Sequence, residues 1–262
     1  MRDASISTFL SIATPTLRGG DQNRELFFDR AKNRWLPGPR AAVLPDGSGY
    51  AYVNLNPTKY ENELHVVDVA TGRERVFVIA HPTGYSAVMD YSASGVYVAG
   101  STEGSEAALW LVNPLSGSER LVAATSGTLD LALAGGAAWL AYAQDPNHYS
   151  GAWDSIDRMD LTTRKRTLWF HRTGAFDVGV GFARNGTPIM YPSFSTGMSE
   201  VWLAPSPSSS QKIFSGVEKF TGTASDTHGI WLFSEHGIYF DSPQAGVERV
   251  SDVVAGPAGT CL

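Results

Sequence analysis

Four of the six histidines in this sequence, His81, His148, His171 and His236, are the residues best suited to chemistry. Imidazole is the commonest neutral metal ligand in proteins and the side chain that titrates nearest to neutral pH. Each of the four lies in a segment between apolar, strand-like runs. They form either a metal or acid/base site or a set of unrelated exposed loop residues, because the sequence fixes no distance between them.

Three carboxylates, Asp90, Asp130 and Asp177, fall in strands that hold the same place in a repeated unit described below. If those strands line a common channel, the carboxylates either hold a cation or a polyol, or bind water and neighbouring backbone. No complete metal-ligand set and no cofactor is predicted.

The longest polar insertion, residues 144–154, carries aromatic side chains that add nothing to a core. Trp153 either stacks on a sugar ring or a partner's side chain, or folds back over its own sheet. Loops on a rigid scaffold are where recognition usually resides. The predicted ligand-binding residues are His81, Tyr85, His148, Tyr149, Trp153, Asp154, His171, Arg172 and Asp177.

Several catalytic signatures are missing from the sequence. It contains no G-x-S-x-G nucleophile elbow, no H-E-x-x-H zinc helix, no C-x-x-C pair, no phosphate-binding P-loop and no EF-hand spacing. Enzymes whose sites are assembled from distant residues leave no such local signature, so an enzyme stays an open alternative.

The elements that must position these residues are repeated β-hairpins. The clearest reads Leu64–Asp68, a turn ending in Gly72, then Arg73–Phe77, and Asp68 with Gly72 supplies tight-turn chemistry. Five further hairpins follow the same pattern, and the six begin at residues 26, 64, 109, 156, 201 and 238. All-β units recurring every 37 to 47 residues are typical of a β-propeller.

Ahead of five hairpins lies a second recurring unit, a turn that ends in Gly followed by a short apolar strand, as in Gly49–Tyr52. Each full unit therefore has an inner pair of strands before its outer hairpin. Six outer hairpins and five inner pairs predict six four-stranded blades in one domain spanning 1–262. The unfinished blade is predicted to join residues 5–37 with residues 252–262, which would leave no open sheet edge. Cys261, the only cysteine, is predicted to be buried in that closing strand.

The turn Pro45–Gly47 before an inner strand, followed by Leu64–Gly72, resembles the repeat of TolB-like, WD40-related bacterial propellers. The resemblance covers nearly the whole chain and implies a six-bladed, all-β propeller. Members of that superfamily serve as protein-interaction platforms, as ligand binders and as gating domains of peptidases. The resemblance therefore implies an architecture and leaves the activity open.

The charge and hydropathy of the sequence argue against two classes of function. The net charge of −6 and the lack of a basic stripe argue against nucleic acid as a partner, and no apolar run is long enough to span a bilayer. We expect a monomeric binding module that presents its loop face to a protein or a glycan. The alternative is a hydrolase or lyase at the channel mouth, with or without a divalent cation. The expected location is bacterial and extracytoplasmic.

Overall fold

The computed structural model describes residues 27–29, 34–36, 42–56, 59, 61–81, 86–101, 106–126, 130–143, 153–242 and 245–253. These residues contain no α-helix, and no helix among them is long and apolar enough to cross a bilayer. The protein is therefore all-β over the described ranges.

The strands form six antiparallel sheets, and within each sheet every strand pairs with its neighbours in sequence. Sheet 1 has β1 (Phe27–Asp29) and β2 (Arg34–Leu36), and sheet 2 has β3 (Gly49–Asn56), β4 (Glu61–Asp68) and β5 (Glu74–Ile79). Sheet 3 has β6 (Ser86–Ser92), β7 (Gly95–Ser101), β8 (Glu106–Val112) and β9 (Glu119–Ser126). Sheet 4 has β10 (Asp130–Ala134), β11 (Ala137–Tyr142), β12 (Ser155–Asp160) and β13 (Arg166–His171). Sheet 5 has β14 (Asp177–Phe182), β15 (Pro188–Ser193), β16 (Ser199–Ser206) and β17 (Ser209–Gly216). Sheet 6 has β18 (Phe220–Ser225), β19 (Ile230–Ser234), β20 (Ile238–Ser242) and β21 (Gly246–Ser251).

The described residues form two compact units. The first contains sheets 1 and 2 and most of sheet 3, and the second contains sheets 4, 5 and 6. All six predicted outer hairpins are present as strand pairs, and Asp90, Asp130 and Asp177 lie in β6, β10 and β14, the first strands of their sheets. Sheets 3 to 6 have the four-stranded meander of a propeller blade.

Sheet 2 has three strands within the described ranges, where four are expected. At its inner edge the described residues form an isolated bridge between Val43 and Tyr50. The turn that follows Val43 begins at once, with the Gly47 N–H donating to the Leu44 carbonyl at 2.8 Å and the Leu44 N–H to the Gly49 carbonyl at 2.9 Å. Residues 37–41, with which this ladder would continue away from the turn, lie outside the described residues.

The turns inside the outer hairpins follow the predicted chemistry. The Asp68 carboxylate accepts hydrogen bonds from the N–H and the hydroxyl of Thr71, both at 2.8 Å, and Gly72 has a φ of 69°. Asp160 binds Thr163 in the same way, at 2.7 Å to the N–H and 3.0 Å to the hydroxyl. At the position of Gly72 this second turn has Arg164, at a φ of 60°.

The core of the second unit is divided between two inter-sheet layers. Between sheets 4 and 5 it contains Trp139, Ile156, Val178 and Met190, and between sheets 5 and 6 it contains Ile189, Val201, Phe220, Ile230 and Leu232. In the first unit, one core cluster joins Leu64 of sheet 2 with Val96 and Val98 of sheet 3. Alternate residues of each strand supply these layers, as the period of a β-strand requires.

Sheets 5 and 6 approach closely where β14 meets β18. A Cβ built on Gly181 would overlap the Thr223 side chain, and one built on Gly179 would overlap the ring of Tyr191. The two glycines leave space that neighbouring side chains fill.

Candidate functional site

The links at one end of sheets 5 and 6 surround a pocket in the second unit. The chain crosses this end between β13 and β14, between β15 and β16, between β17 and β18, and between β19 and β20. In the sequence-based propeller scheme these are the links and loops predicted to share the ligand-binding face. We call this end of the two sheets the link end.

The link-end pocket has a volume of about 450 Å³. Its wall joins the link before β14 with the loop between β15 and β16 and the link before β18. The lining residues are Trp153, Phe176, Asp177, Ser193, Phe194, Gly197, Met198 and Lys219.

Apolar side chains are exposed at the mouth of this pocket. Phe176 is 48% exposed and Met198 is 37% exposed, and Val217 on the neighbouring link is 78% exposed. Trp153 is half-buried, packs against the layer between sheets 4 and 5, and also lines the pocket. Of the two predicted roles for Trp153, packing on its own sheet is therefore present, and it leaves part of the indole available to a ligand.

Backbone hydrogen bonds hold the Trp153 segment and the Phe176 link together. The Trp153 N–H donates to the Phe176 carbonyl at 2.8 Å, and the Phe176 N–H donates to the Ser193 carbonyl at 2.7 Å. The Phe194 N–H and the Met198 carbonyl close the next loop at 2.9 Å. The pocket wall is thus built from segments with fixed backbone partners.

An ion pair fixes the link beneath the pocket. The Arg172 guanidinium donates to both carboxylate oxygens of Glu200, with Nε at 2.7 Å and Nη2 at 3.0 Å. The Glu200 side chain is 8% exposed, whereas that of Arg172 is 38% exposed. This bidentate geometry restricts the direction in which the link leaves β13.

Two further donors complete the environment of Glu200. The Trp202 indole N–H lies 2.9 Å from Oε2, and Lys212 Nζ lies 3.2 Å from Oε1. Both Arg172 and Lys212 also lie over the Trp202 ring, at 5.7 Å and 5.4 Å from its centroid. The Arg172 hydrogen bonds, with those of Trp202 and Lys212, outweigh the effect of burial and hold the pKa of Glu200 at about 2, below its ordinary 4.5.

Asp154, Ser155 and His171 form a chain of hydrogen bonds where β12 meets β13. The Ser155 hydroxyl donates to Asp154 at 2.9 Å and lies 3.0 Å from His171 Nδ1. A hydroxyl has one proton and a carboxylate can only accept, so when Ser155 donates to Asp154 the Nδ1–H tautomer of His171 donates to the serine. In a nucleophilic triad the histidine would accept the serine proton, and Ser155 is also fully buried. The chain is therefore a structural link between strands.

A second carboxylate, Glu218, is buried on the link before β18. His236 Nδ1 lies 3.1 Å from Glu218 Oε1, and the Tyr239 hydroxyl donates to Oε2 at 2.7 Å. Burial raises the pKa of Glu218, but hydrogen bonds from Ser234, Tyr239 and His236 outweigh it and hold that pKa below its usual value. Nearby, Lys219 Nζ pairs with Glu235 at 3.1 Å on the surface.

The structure brings some of the sequence-predicted site residues together. The link end of sheet 5 and the adjoining end of sheet 4 hold five of them, Trp153, Asp154, His171, Arg172 and Asp177. Of these, Trp153 and Asp177 line the pocket. His81 belongs to the first unit, where its ring stacks on Trp110 at 4.3 Å and its Nδ1 lies 3.4 Å from Glu119. Tyr85, His148 and Tyr149 lie outside the described residues.

Sequence reasoning missed Phe176, Met198 and Glu200. For Glu200 a signal was present, since it precedes Val201 and Trp202 within an apolar strand and so falls close to the buried layer. Phe176 and Met198 lie in short loops, where strand periodicity gives no indication of exposure.

No group of three or more His, Cys, Asp or Glu side chains within the described ranges is arranged to hold a metal ion. Carboxylates such as Glu200 and Glu218 are already bound by protein donors. The pocket's chemistry is thus that of an apolar and aromatic recess with charged side chains, Asp177 and Lys219, at its wall.

Comparison with known proteins identifies the fold. No family model matches the sequence, and no curated protein matches it. Among solved structures, a prolyl endopeptidase aligns with a TM-score of 0.60 at 17% identity, over 78% of this chain and 35% of that one. TolB from Acinetobacter baumannii aligns with a TM-score of 0.53 at 14% identity, over 79% of this chain and 53% of TolB.

The β-propeller domain of the Trilobed protease from Pyrococcus furiosus, which has an open velcro topology, aligns with a TM-score of 0.57 at 12% identity. That match covers 84% of this chain and 73% of that one. The chain therefore has a β-propeller fold similar to that of TolB and of the propeller domains of peptidases. It spans 35% and 53% of the prolyl endopeptidase and TolB chains, and identities this low show the fold alone.

Proposed function

We propose that the protein is a non-catalytic binding module and that its ligand enters the link-end pocket. The observation that carries the proposal is the exposure of Phe176 and Met198 at the mouth of a 450 Å³ recess with an ordered wall. Exposed apolar side chains around a concave site are typical of recognition surfaces.

The hydrogen-bonding state of the neighbouring polar groups supports binding over catalysis. Glu200 and Glu218 are held by protein donors, and Ser155 is buried between Asp154 and His171. Catalytic acids and bases need a proton-transfer path to a substrate, which side chains with all these contacts to protein do not offer. The surface that the pocket presents to solvent is mainly that of apolar side chains, Phe176 and Met198.

The ligand we propose is a protein segment that inserts an apolar side chain. Three exposed apolar side chains are available to such a ligand, those of Phe176, Met198 and Val217. The Phe176 ring is flat, and the Met198 side chain is flexible and adapts to partners of different shape. A glycan would favour more polar side chains around an exposed ring, and here Trp153 is half-buried. A glycan ligand is therefore the other outcome of the test.

The test compares two double variants. Phe176→Ala with Met198→Ala removes the apolar mouth, and Leu168→Ala with Val250→Ala removes comparable exposed side chains elsewhere in the second unit, 42% and 51% exposed. Peptides selected by display on the wild-type protein should lose roughly tenfold or more in affinity for the first variant and keep it for the second.

Both double variants should unfold near the wild-type temperature, since each removes exposed atoms. A glycan array probed with the same proteins shows whether sugars bind instead. If neither peptides nor glycans distinguish the two double variants, the pocket is not the binding site.

We also propose that the chain forms six blades, with residues 5–37 and 252–262 sharing one. The support is the six outer hairpins and the fold shared with peptidase propeller domains. Val254–Leu262, including Cys261, and most of 5–37 lie outside the described residues. A bacterial, extracytoplasmic location and a monomeric state complete the proposal, and fractionation with light scattering tests both.

A further inference from the structure

A second pocket lies between sheets 5 and 6 at the end opposite the link end. It has a volume of about 530 Å³ and is formed where the β16–β17 and β20–β21 hairpins turn. We call it the hairpin-end pocket. Its floor is apolar because Leu203, Ile213 and Ile230 extend the layer between the two sheets into it.

Asp241 stands at the edge of this apolar floor. It pairs with Ile230 on one side and with Val247 on the other, and its side chain is half-buried. Among the described residues its carboxylate has neither a hydrogen bond nor an ion pair. Burial raises the pKa of Asp241, and no donor or cation offsets that effect. A carboxylate withdrawn from water without a partner costs free energy that a cationic ligand would recover.

The cationic residue that lines this pocket, Lys212, does not supply that partner. Lys212 lines the pocket, but its ammonium group is bound to Glu200 at 3.2 Å and lies over the Trp202 ring. Ser242, also in the wall, accepts a hydrogen bond from the Ala245 N–H at 3.0 Å. The pocket therefore combines one uncompensated negative charge with an apolar floor.

We propose that the hairpin-end pocket binds a primary ammonium group carried on an apolar stem, the chemistry of a lysine side chain. The ammonium pairs with Asp241, and the methylene groups lie on Leu203, Ile213 and Ile230. An ammonium donates three hydrogen bonds, and its alkyl stem packs on apolar surface. This site is separate from the link-end pocket and does not rest on the function proposed for it.

The experiment titrates the intact chain with two small probes, Nα-acetyl-lysine methylamide and its norleucine counterpart, and follows binding by NMR chemical shifts. The norleucine probe has the same stem length without the ammonium. On the wild-type protein the lysine probe should bind roughly tenfold more tightly. Equal binding of both probes, or no binding of the lysine probe, overturns the proposal without any variant.

Asp241→Asn keeps the shape of the side chain and removes its charge, so the preference for lysine should disappear. Asp252→Asn is the matched control, since Asp252 is 89% exposed and pairs with Arg249 at 3.0 Å. That control should keep the wild-type preference. A lysine preference that survives in Asp241→Asn, or that is lost equally in Asp252→Asn, assigns the effect to general surface charge and overturns the site.

Discussion

The carboxylate of Glu200 accepts hydrogen bonds from three side chains that reach it from different segments of sheet 5 and its links. Arg172 comes from the link before β14, Trp202 from the same strand, and Lys212 from β17. Because the carboxylate is buried while the two cations keep exposed edges, removing the negative charge leaves cations that water can solvate. The main effect of removing the Glu200 charge is therefore that Arg172 no longer holds the link before β14 in place.

This arrangement predicts an acid-sensitive contribution to stability. The pKa of Glu200 is lowered in the folded state, so its contribution is complete above about 4.5 and is lost as the pH falls toward about 2. We expect Glu200→Gln to lose about 2 kcal/mol of unfolding free energy at neutral pH, after allowance for screening of the exposed cations.

Urea unfolding at several pH values measures this. The gap between wild type and Glu200→Gln should narrow between pH 4.5 and pH 2. Replacing the exposed Glu248 by Gln should leave the wild-type pH profile unchanged. A constant gap at all pH values would mean that the carboxylate's charge is not what stabilises the link.

At the scale of the element, two of the outer hairpins have different residues at the left-handed position of their turns. The turn after Asp68 has Gly72 in the left-handed region, and the equivalent turn after Asp160 has Arg164 there, the only non-glycine residue with positive φ in the described part of the chain. A side chain in this region crowds the backbone and costs about 1 kcal/mol or somewhat more. The Asp160 hydrogen bonds to Thr162 and Thr163 keep the turn in place.

Arg164→Gly should therefore stabilise the protein by about 0.5 to 1 kcal/mol, since relief of the left-handed strain exceeds the entropy that glycine adds to the unfolded chain. The reverse change at the sister turn, Gly72→Arg, should destabilise by a similar amount. Thermal unfolding of both variants and of the wild type measures these two changes in stability. If Arg164→Gly does not stabilise the protein and Gly72→Arg does not destabilise it, a side chain in the left-handed region is not what limits the stability of these turns.

The hairpins could be predicted from sequence because their determinants are local. An Asp, a Thr and a Gly within five residues specify the turn, and alternating apolar residues specify the strands. For the candidate pocket, the sequence could predict only the end of the sheets at which it lies, and not the residues that line it. Arg172 and Glu200, which form an ion pair, are 28 residues apart, and Trp153 and Met198, which line one pocket, are 45 apart. Both arrangements depend on sheet packing that no local pattern encodes.

At the scale of the whole molecule, the closure of the ring is the proposal with the largest energetic consequence. If residues 254–262 supply the missing inner strand, their deletion exposes an unpaired edge and removes buried apolar side chains. We expect the unfolding free energy to fall by several kcal/mol. Chemical denaturation of the truncated and full chains measures the difference.

An unchanged midpoint would favour a propeller whose terminal segments do not share a blade. A matched control is Val253→Ala, which alters a 42% exposed side chain just before the deleted segment and should have little effect. Loss of stability in the control as large as in the truncation would place the effect before residue 254.

The glycine at position 181 has a consequence for how this sequence can change in evolution. Its missing side chain is replaced in the layer by Thr223, which comes from the next sheet, so the volume at this point is shared by two positions 42 residues apart. A larger residue at 181 is tolerable only with a smaller one at 223. Among relatives that keep this packing, the residues at positions 181 and 223 should therefore vary as a pair. The hydropathy of β14 alone does not reveal this restriction on the size of the side chain at position 181.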